Sequence, residues 1–135
     1  MNVFPLNVAY LHQHWEEVAK YLNPALELSG VEEFTLGQMK VYILNGSWTL
    51  FVVVEEGKLC GAVVVAFSNY PNHRVAFVTA IGGKFISSKE TFEKFKVALK
   101  NMGATKIQGG ARESVARLWN RLGFKNKQIL VEYKL

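Results

Sequence analysis

Two short stretches hold most of the residue types from which a binding site can be made. The first is Thr79-Ala80-Ile81-Gly82-Gly83-Lys84-Phe85-Ile86-Ser87-Ser88. An apolar run ends there and an amphipathic one begins, so the stretch reads as a strand-to-helix joint. Backbone N–H groups at the start of a helix are unpaired and lie at the positive end of its dipole. Gly82 and Gly83 let an anion approach them closely, Lys84 adds a mobile positive charge, and Ser87 or Ser88 can cap the helix. A diphosphate suits that chemistry. A plain tight turn would use the same glycines, and the residues alone leave both readings open. The second stretch, Gln108-Gly109-Gly110-Ala111-Arg112, repeats the form. Two such joints at one end of a sheet would make a cleft. Arg112, Arg117 and Arg121 are spaced to bring two or three guanidinium groups near one helix face, for phosphate, nucleic acid or plain solvent.

Acid–base groups are few. The chain has no Asp, so a carboxylate mechanism must use Glu. Glu55 or Glu56 ends an apolar run, and His73, an imidazole that could act as a base, precedes another. Tyr133 can donate a proton from the last apolar segment. Each of these equally suits a turn, a surface or packing. His12 and His14 stand two residues apart in a helical pattern and point away from each other, so no metal site is expected. Cys60 is the sole cysteine, which rules out an intrachain disulfide, and it reads as a strand residue and not a nucleophile. Trp48 and Phe51 read as core.

The elements that must position these groups follow from period and punctuation. Residues 2–6 suit an edge strand containing Pro5. Asn7 can cap a helix carrying Leu11, Trp15, Val18 and Leu22, which Pro24 should end near Leu22. Thr35 can cap a second helix over 36–44. Residues 48–54 and 59–67 are β-branched and aromatic around the polar turn Glu55-Glu56-Gly57-Lys58, and predict a hairpin. Arg74 to Ile81 is a third strand of the run. A helix with Phe92, Phe95, Leu99 and Met102 on one side follows, ended by Gly103. Residues 104–108 make a short strand, and 113–122 a helix with Val115, Leu118, Trp119 and Leu122 apolar. Gly123 is its expected cap, with Phe124 placed to touch Trp119. Gln128 to Leu135 alternates enough for a last strand. The order is β-α-α-β-β-β-α-β-α-β over one domain, residues 1–135. It is an α/β fold with a mixed, twisted sheet of six or so strands and helices on both faces. The strand–helix–strand over 74–108 requires a crossover, so part of the sheet should be parallel.

Charge is divided along the chain. Residues 1–68 carry three lysines and seven glutamates, a net of −4; residues 69–135 carry thirteen Lys or Arg and four Glu, a net of +9. An anionic ligand belongs with the second half, whether a phosphorylated cofactor or nucleic acid. No run approaches the roughly 20 apolar residues of a membrane span. Neither a second thiol nor a secretory pattern is present, so a cytoplasmic protein is expected.

The segment Ala111-Arg-Glu-Ser-Val-Ala-Arg-Leu-Trp-Asn-Arg-Leu-Gly-Phe124, with the strand-like run ending Glu132-Tyr-Lys-Leu, resembles the C-terminal part of the GNAT acyltransferase family. The run Val78-Thr-Ala-Ile-Gly-Gly-Lys84, with Gly110-Ala-Arg112 and Leu122-Gly-Phe124, is similar to small GNAT-like proteins of tailed bacteriophages. The resemblance implies acetyl-CoA bound between strands 74–81 and 104–108, its diphosphate on Gly82, Gly83, Lys84 and Ser87. Backbone groups of Val78 and Ala80 would face the pantetheine arm, and an amine would accept the acyl group. Where the family's proton-donating tyrosine commonly stands, this chain has Trp119, and its glycine loop is shorter. The alternative implied is a non-catalytic protein of a phage or virion, in host cytoplasm or particle, working through protein or DNA contacts.

Overall fold

The sheet is built around a hairpin. Strand β2 (Thr49–Glu55) turns at Glu56 and Gly57 into β3 (Lys58–Asn69). Both turn residues have positive φ, 52° and 75°, which is the backbone that twists a two-residue turn to match its strands. The structure is a computed structural model that describes every residue except Val31, and Ser29 by its backbone only.

Around the hairpin lies a five-stranded sheet in the order β1-β2-β3-β4-β5. Strand β1 (Asn2–Pro5) is antiparallel to β2, and β4 (Arg74–Gly83) is antiparallel to β3. Strand β5 (Lys106–Gly109) is parallel to β4, as the crossover required. Alternate residues face two cores. One face, with Leu50, Val52, Ala62, Val64 and Ala80, is covered by α1 (Leu11–Ser29) and α2 (Leu36–Leu44). The other, with Phe51, Val53, Val63, Val65, Ala76, Val78 and Ile81, is covered by α3 (Lys84–Ser87), α4 (Lys89–Asn101) and α5 (Glu113–Arg121). The α/β class and the two-sided covering agree with the sequence. Among the described residues no helix is long and apolar enough to cross a membrane.

Several local expectations hold. Thr35 caps α2 in a reciprocal capping box with Gln38. Phe124 meets Trp119 with ring centroids 5.2 Å apart. Others are corrected. Asn7 caps a single 3-10 turn, Val8–Tyr10, that leads into α1. Helix α1 does not stop near Leu22 but runs through Pro24. A proline removes one backbone bond of the helix, and Ala25 and Leu26 beyond it pack on the core and hold the last turn in place. Of the apolar residues of α5, Trp119 is buried and Leu118 is half exposed. Residues 125–135 form no strand. Alternation there is genuine, but a strand exists only where its N–H and C=O groups find a neighbour, and this segment is paired to none. Among the described residues the sheet has five strands, the sixth expected at 128–135 being absent, and Tyr133 there is 87% exposed.

Candidate functional site

The candidate site is built on the second half of β4. Facing β3, Val78 opposes Val65 and Ala80 opposes Val64, so Thr79 between them has no partner. This is a β-bulge, one extra residue that bends the strand and increases its twist. The Thr79 hydroxyl donates to the Val64 carbonyl at 3.0 Å and secures the irregularity. On the other side of β4, pairing with β5 runs from Val75–Lys106 to Val78–Gly109 and ends there. From Thr79 to Gly83 the β5-facing edge of β4 has no strand partner among the described residues. Beyond the bulge β4 is no longer paired to β5, and this unpaired stretch is the opening between them.

Aromatic side chains wall this opening on the α4 side. Gly109 lacks a Cβ where the Trp119 ring lies; a Cβ added there would sit 2.5 Å from two ring carbons. Trp119 is buried. Phe124 bridges it to Phe92, whose ring centroid is 5.5 Å away. Phe85 is fully buried beneath them, its centroid 5.3 Å from that of Phe95.

On the opposite side Tyr21 of α1 passes over the glycine joint. A Cβ on Gly82 would fall on the Tyr21 carbonyl, 2.9 Å from its carbon. A Cβ on Gly83 would lie 2.7 Å from the Gly61 Cα and 2.8 Å from the Tyr21 ring. The Tyr21 hydroxyl donates to the Leu59 carbonyl at 3.0 Å and ties α1 to β3 over this point. The bareness of Gly82 and Gly83, expected to admit an anion, thus admits α1 and β3. Gly82 is buried and Gly83 half-buried. Val78 and Ala80 are both buried, and the bulge sends their side chains into different cores.

Charge at the joint is already paired. Lys84 donates to the Glu55 carboxylate from the end of β2. That hydrogen bond, with the attraction of opposite charges, holds the Glu55 pKa below its ordinary 4.5. The same bond raises the Lys84 pKa above its ordinary 10.5. Both side chains are more than a third exposed, so solvent weakens the pair. Glu55 therefore stands beside the glycine joint as the counter-ion of Lys84. The Ser88 hydroxyl accepts from the Thr91 N–H at 3.2 Å and caps α4, while the Ser87 hydroxyl is 3.5 Å from the Gly83 carbonyl.

The remaining candidates stand elsewhere. The guanidinium of Arg112 comes within 2.8 Å of where a Gly30 Cβ would be, over the C-terminal end of α1, which its charge favours. Arg117 pairs loosely with Glu113 at 3.8 Å. His73 Nδ1 is 2.9 Å from the Thr105 hydroxyl, at the opposite end of β4. It borders an open depression of about 360 Å³ with Tyr70, Asn72, Lys106 and Gln108. His12 Nδ1 lies 3.4 Å from the Lys40 ammonium. Among the described residues no group of three His, Cys, Asp or Glu could hold a metal ion. Tyr21 was not found by sequence reasoning, because nothing local tells which helix crosses which strand. Thr79 was not marked as a bulge, although a hydroxyl residue inside an apolar strand was a signal.

No family model and no curated protein sequence matches the chain. Solved structures do match over the whole length. The ribosomal-protein-alanine N-acetyltransferase of Brucella melitensis biovar Abortus 2308 superposes with a TM-score of 0.72 at 13% identity, over all of both chains. The aminoglycoside N-acetyltransferase AAC(6')-Iy, in complex with a bisubstrate analogue of CoA and monomethyl-acetylneamine, gives 0.68 at 17% identity, over 99% of this chain and 97% of that one. Glucosamine-6-phosphate N-acetyltransferase of Arabidopsis thaliana gives 0.61 at 15% identity, over 98% and 97%. The mixed sheet, bulged at Thr79 and opening beyond Gly109, is thus the fold of the GNAT acetyltransferases.

Proposed function

We propose that the chain is an acyl-CoA-dependent N-acyltransferase that holds its donor along the free edge of β4. The observation that carries this reading is the end of β4–β5 pairing at Val78–Gly109 beside the Thr79 bulge. A strand edge without a strand partner offers N–H and C=O groups to any extended chain that carries amides. The pantetheine arm of CoA is such a chain, so the edge from Thr79 to Gly83 fits it. In this reading Lys84 meets phosphate oxygens by exchanging its Glu55 partner, with Ser87 nearby. The thioester supplies an activated acyl group. What the chain itself adds is position and a strand N–H directed at the developing oxyanion. Acetyl-CoA and a primary amine are the substrates this reading names. Glu55, with its pKa depressed, is better suited to steer Lys84 than to take a proton.

A second reading is favoured by Trp119. An indole N–H does not ionise in any useful range, so the position offers no acid for a leaving thiolate. A protein with this fold that binds CoA, or nothing, and acts through contacts with phage or host protein or nucleic acid would carry such a residue. Titration calorimetry with acetyl-CoA and CoA, followed by thiol release over an amine panel, separates the two. Saturable binding and amine-dependent thiol release support the transferase. Binding without turnover supports the second reading, and no heat at millimolar ligand removes the donor site altogether. A gel shift that disappears with modest salt would show phosphate contacts by the basic half.

A further inference from the structure

The depression at the start of β4 lies at the far end of that strand from the glycine joint. Tyr70, Asn72 and His73 reach it from the β3–β4 turn, Lys106 and Gln108 from β5, and Val75 is its apolar floor. Strand register explains the grouping. Val75 pairs with Lys106 and Phe77 with Gln108, so these four side chains share one face of the sheet. Ala76 and Val78 face the α4 core, and the four therefore face the other way. Helix α1 covers that face farther along β4, over Gly82, but here Phe77 is exposed.

Every polar side chain of the wall has a proton to donate, and none is acidic. Lys106 is half-buried, and among the described residues it is the one half-buried lysine without a partner. Lys40 meets His12 and Trp15, Lys84 meets Glu55, and Lys96 meets Glu93. Thr105 orients the imidazole. Its hydroxyl accepts from the Arg74 N–H at 3.1 Å, and its own proton has two acceptors, His73 Nδ1 at 2.9 Å and the Arg74 carbonyl at 3.4 Å. Given to the nearer one, that proton leaves the ring proton on Nε2, as a donor; a charged ring donates from Nε2 as well. One ammonium among amide, phenol and imidazole donors matches a single negative charge, hence a carboxylate.

From Val75 to the bulge at Thr79 the strand rises about 13 Å, at ~3.3 Å per residue, with the exposed Phe77 ring as the surface between. We propose that the depression is a carboxylate subsite, and that the acceptor is an amine whose carboxylate lies about 13 Å from its nitrogen. The acceptor half rests on the transferase reading, in which the acyl group lies at the opening beside Thr79; the carboxylate half stands without it. An extended peptide of four residues spans about 13–14 Å, with its terminal amine at the bulge and its terminal carboxylate at Lys106.

Tetraalanine, as free acid and as carboxamide, tests both halves. In an NMR titration the free acid should shift the His73 ring and the Asn72 and Gln108 side-chain amides, and the carboxamide should bind about 10-fold more weakly. In thiol release from acetyl-CoA the free acid should have a KM about 10-fold below that of the carboxamide, with kcat little changed. Dialanine spans only about 7 Å and should show no such preference in KM. Lys106→Met keeps the stem and removes the charge, so it should abolish the preference while its melt and its affinity for acetyl-CoA match the parent. Equal binding of free acid and carboxamide by the parent overturns the subsite, as does a preference that survives Lys106→Met or shifts confined to other residues. Thiol release without a carboxylate preference, or with the same preference for dialanine, overturns the acceptor class and leaves the transferase reading standing. Carboxylate binding at the depression with no thiol release from any amine supports the subsite and overturns the acceptor half together with that reading.

Discussion

Replacing Gly82 with alanine separates the two uses to which the glycine joint can be put. The new Cβ would fall on the Tyr21 carbonyl, 2.9 Å from its carbon. Ordinary contact for a Cβ begins near 3.4 Å, and both sides here are backbone, so no rotamer change relieves the overlap. Helix α1 and β4 must separate. Gly82 is not in the left-handed region, so dihedral strain adds nothing. Overpacking of this kind costs about 1–3 kcal/mol, and two rigid backbones place it near the top of that range. Reduced freedom of the unfolded chain returns about 0.4–1 kcal/mol. The net expectation is a loss of about 2 kcal/mol, which for a chain of this size lowers Tm by roughly 6–12 °C.

Urea unfolding followed by tryptophan fluorescence measures it, with Gly110→Ala as control. Gly110 has nothing within 4 Å of an added Cβ and should change stability by less than about 0.5 kcal/mol. If Gly82→Ala keeps the parent midpoint while losing affinity for CoA, the glycine serves an anion and the close approach of α1 is refuted.

Other substitutions probe the walls of the opening. Thr79→Val keeps the shape but removes the hydroxyl bond to Val64, and should cost about 1 kcal/mol in urea midpoint measurements. Trp119→Ala empties the space over Gly109 and should cost about 3–5 kcal/mol, while Trp119→Tyr should fold and, under the transferase reading, raise the rate of thiol release. For Glu55 and Lys84 the pH dependence has a definite sign. The depressed Glu55 pKa contributes stability above about 4.5 that is lost as pH falls through the folded value; the raised Lys84 pKa contributes stability below about 10.5 that is lost as pH rises through its folded value. Melts of the parent and Glu55→Gln should therefore differ at neutral pH and converge at the acid end, and a gap that stays constant down to low pH would contradict the pair.

The sequence made the sheet legible because its signals there are redundant. Strand, turn and strand agree over residues 48–67, and Gly46, Gly103 and Gly123 mark the ends of α2, α4 and α5. The crossover rule then gave the parallel pair β4–β5 without reference to any particular contact. What stayed hidden depends on contacts between distant segments. Pro24 reads as a helix stop, and only the packing of Ala25 and Leu26 overrides it. Residues 128–135 alternate like a strand, and alternation says nothing about whether a neighbour is present. Lys84 reads as a free cation until the hairpin brings Glu55 to it across 29 residues.

The bulge, the small residues and the course of α1 are one device. In an unbroken strand Ala76, Val78, Ala80 and Gly82 would all face α4, and Thr79 and Ile81 would face α1. The extra residue at Thr79 reverses the alternation. Ala80 turns to the α1 side and Ile81 to the α4 side. Gly82 then lies under Tyr21, where even a methyl group does not fit. Without the bulge an isoleucine would face α1 in the region where the helix backbone comes closest to the strand, and α1 could not approach. Bending at Thr79 also coincides with the last β4–β5 pair, Val78–Gly109. The irregularity that lets α1 close over one face of β4 is thus also the point at which its edge is freed, so Thr79, and not the glycines, sets where the opening begins.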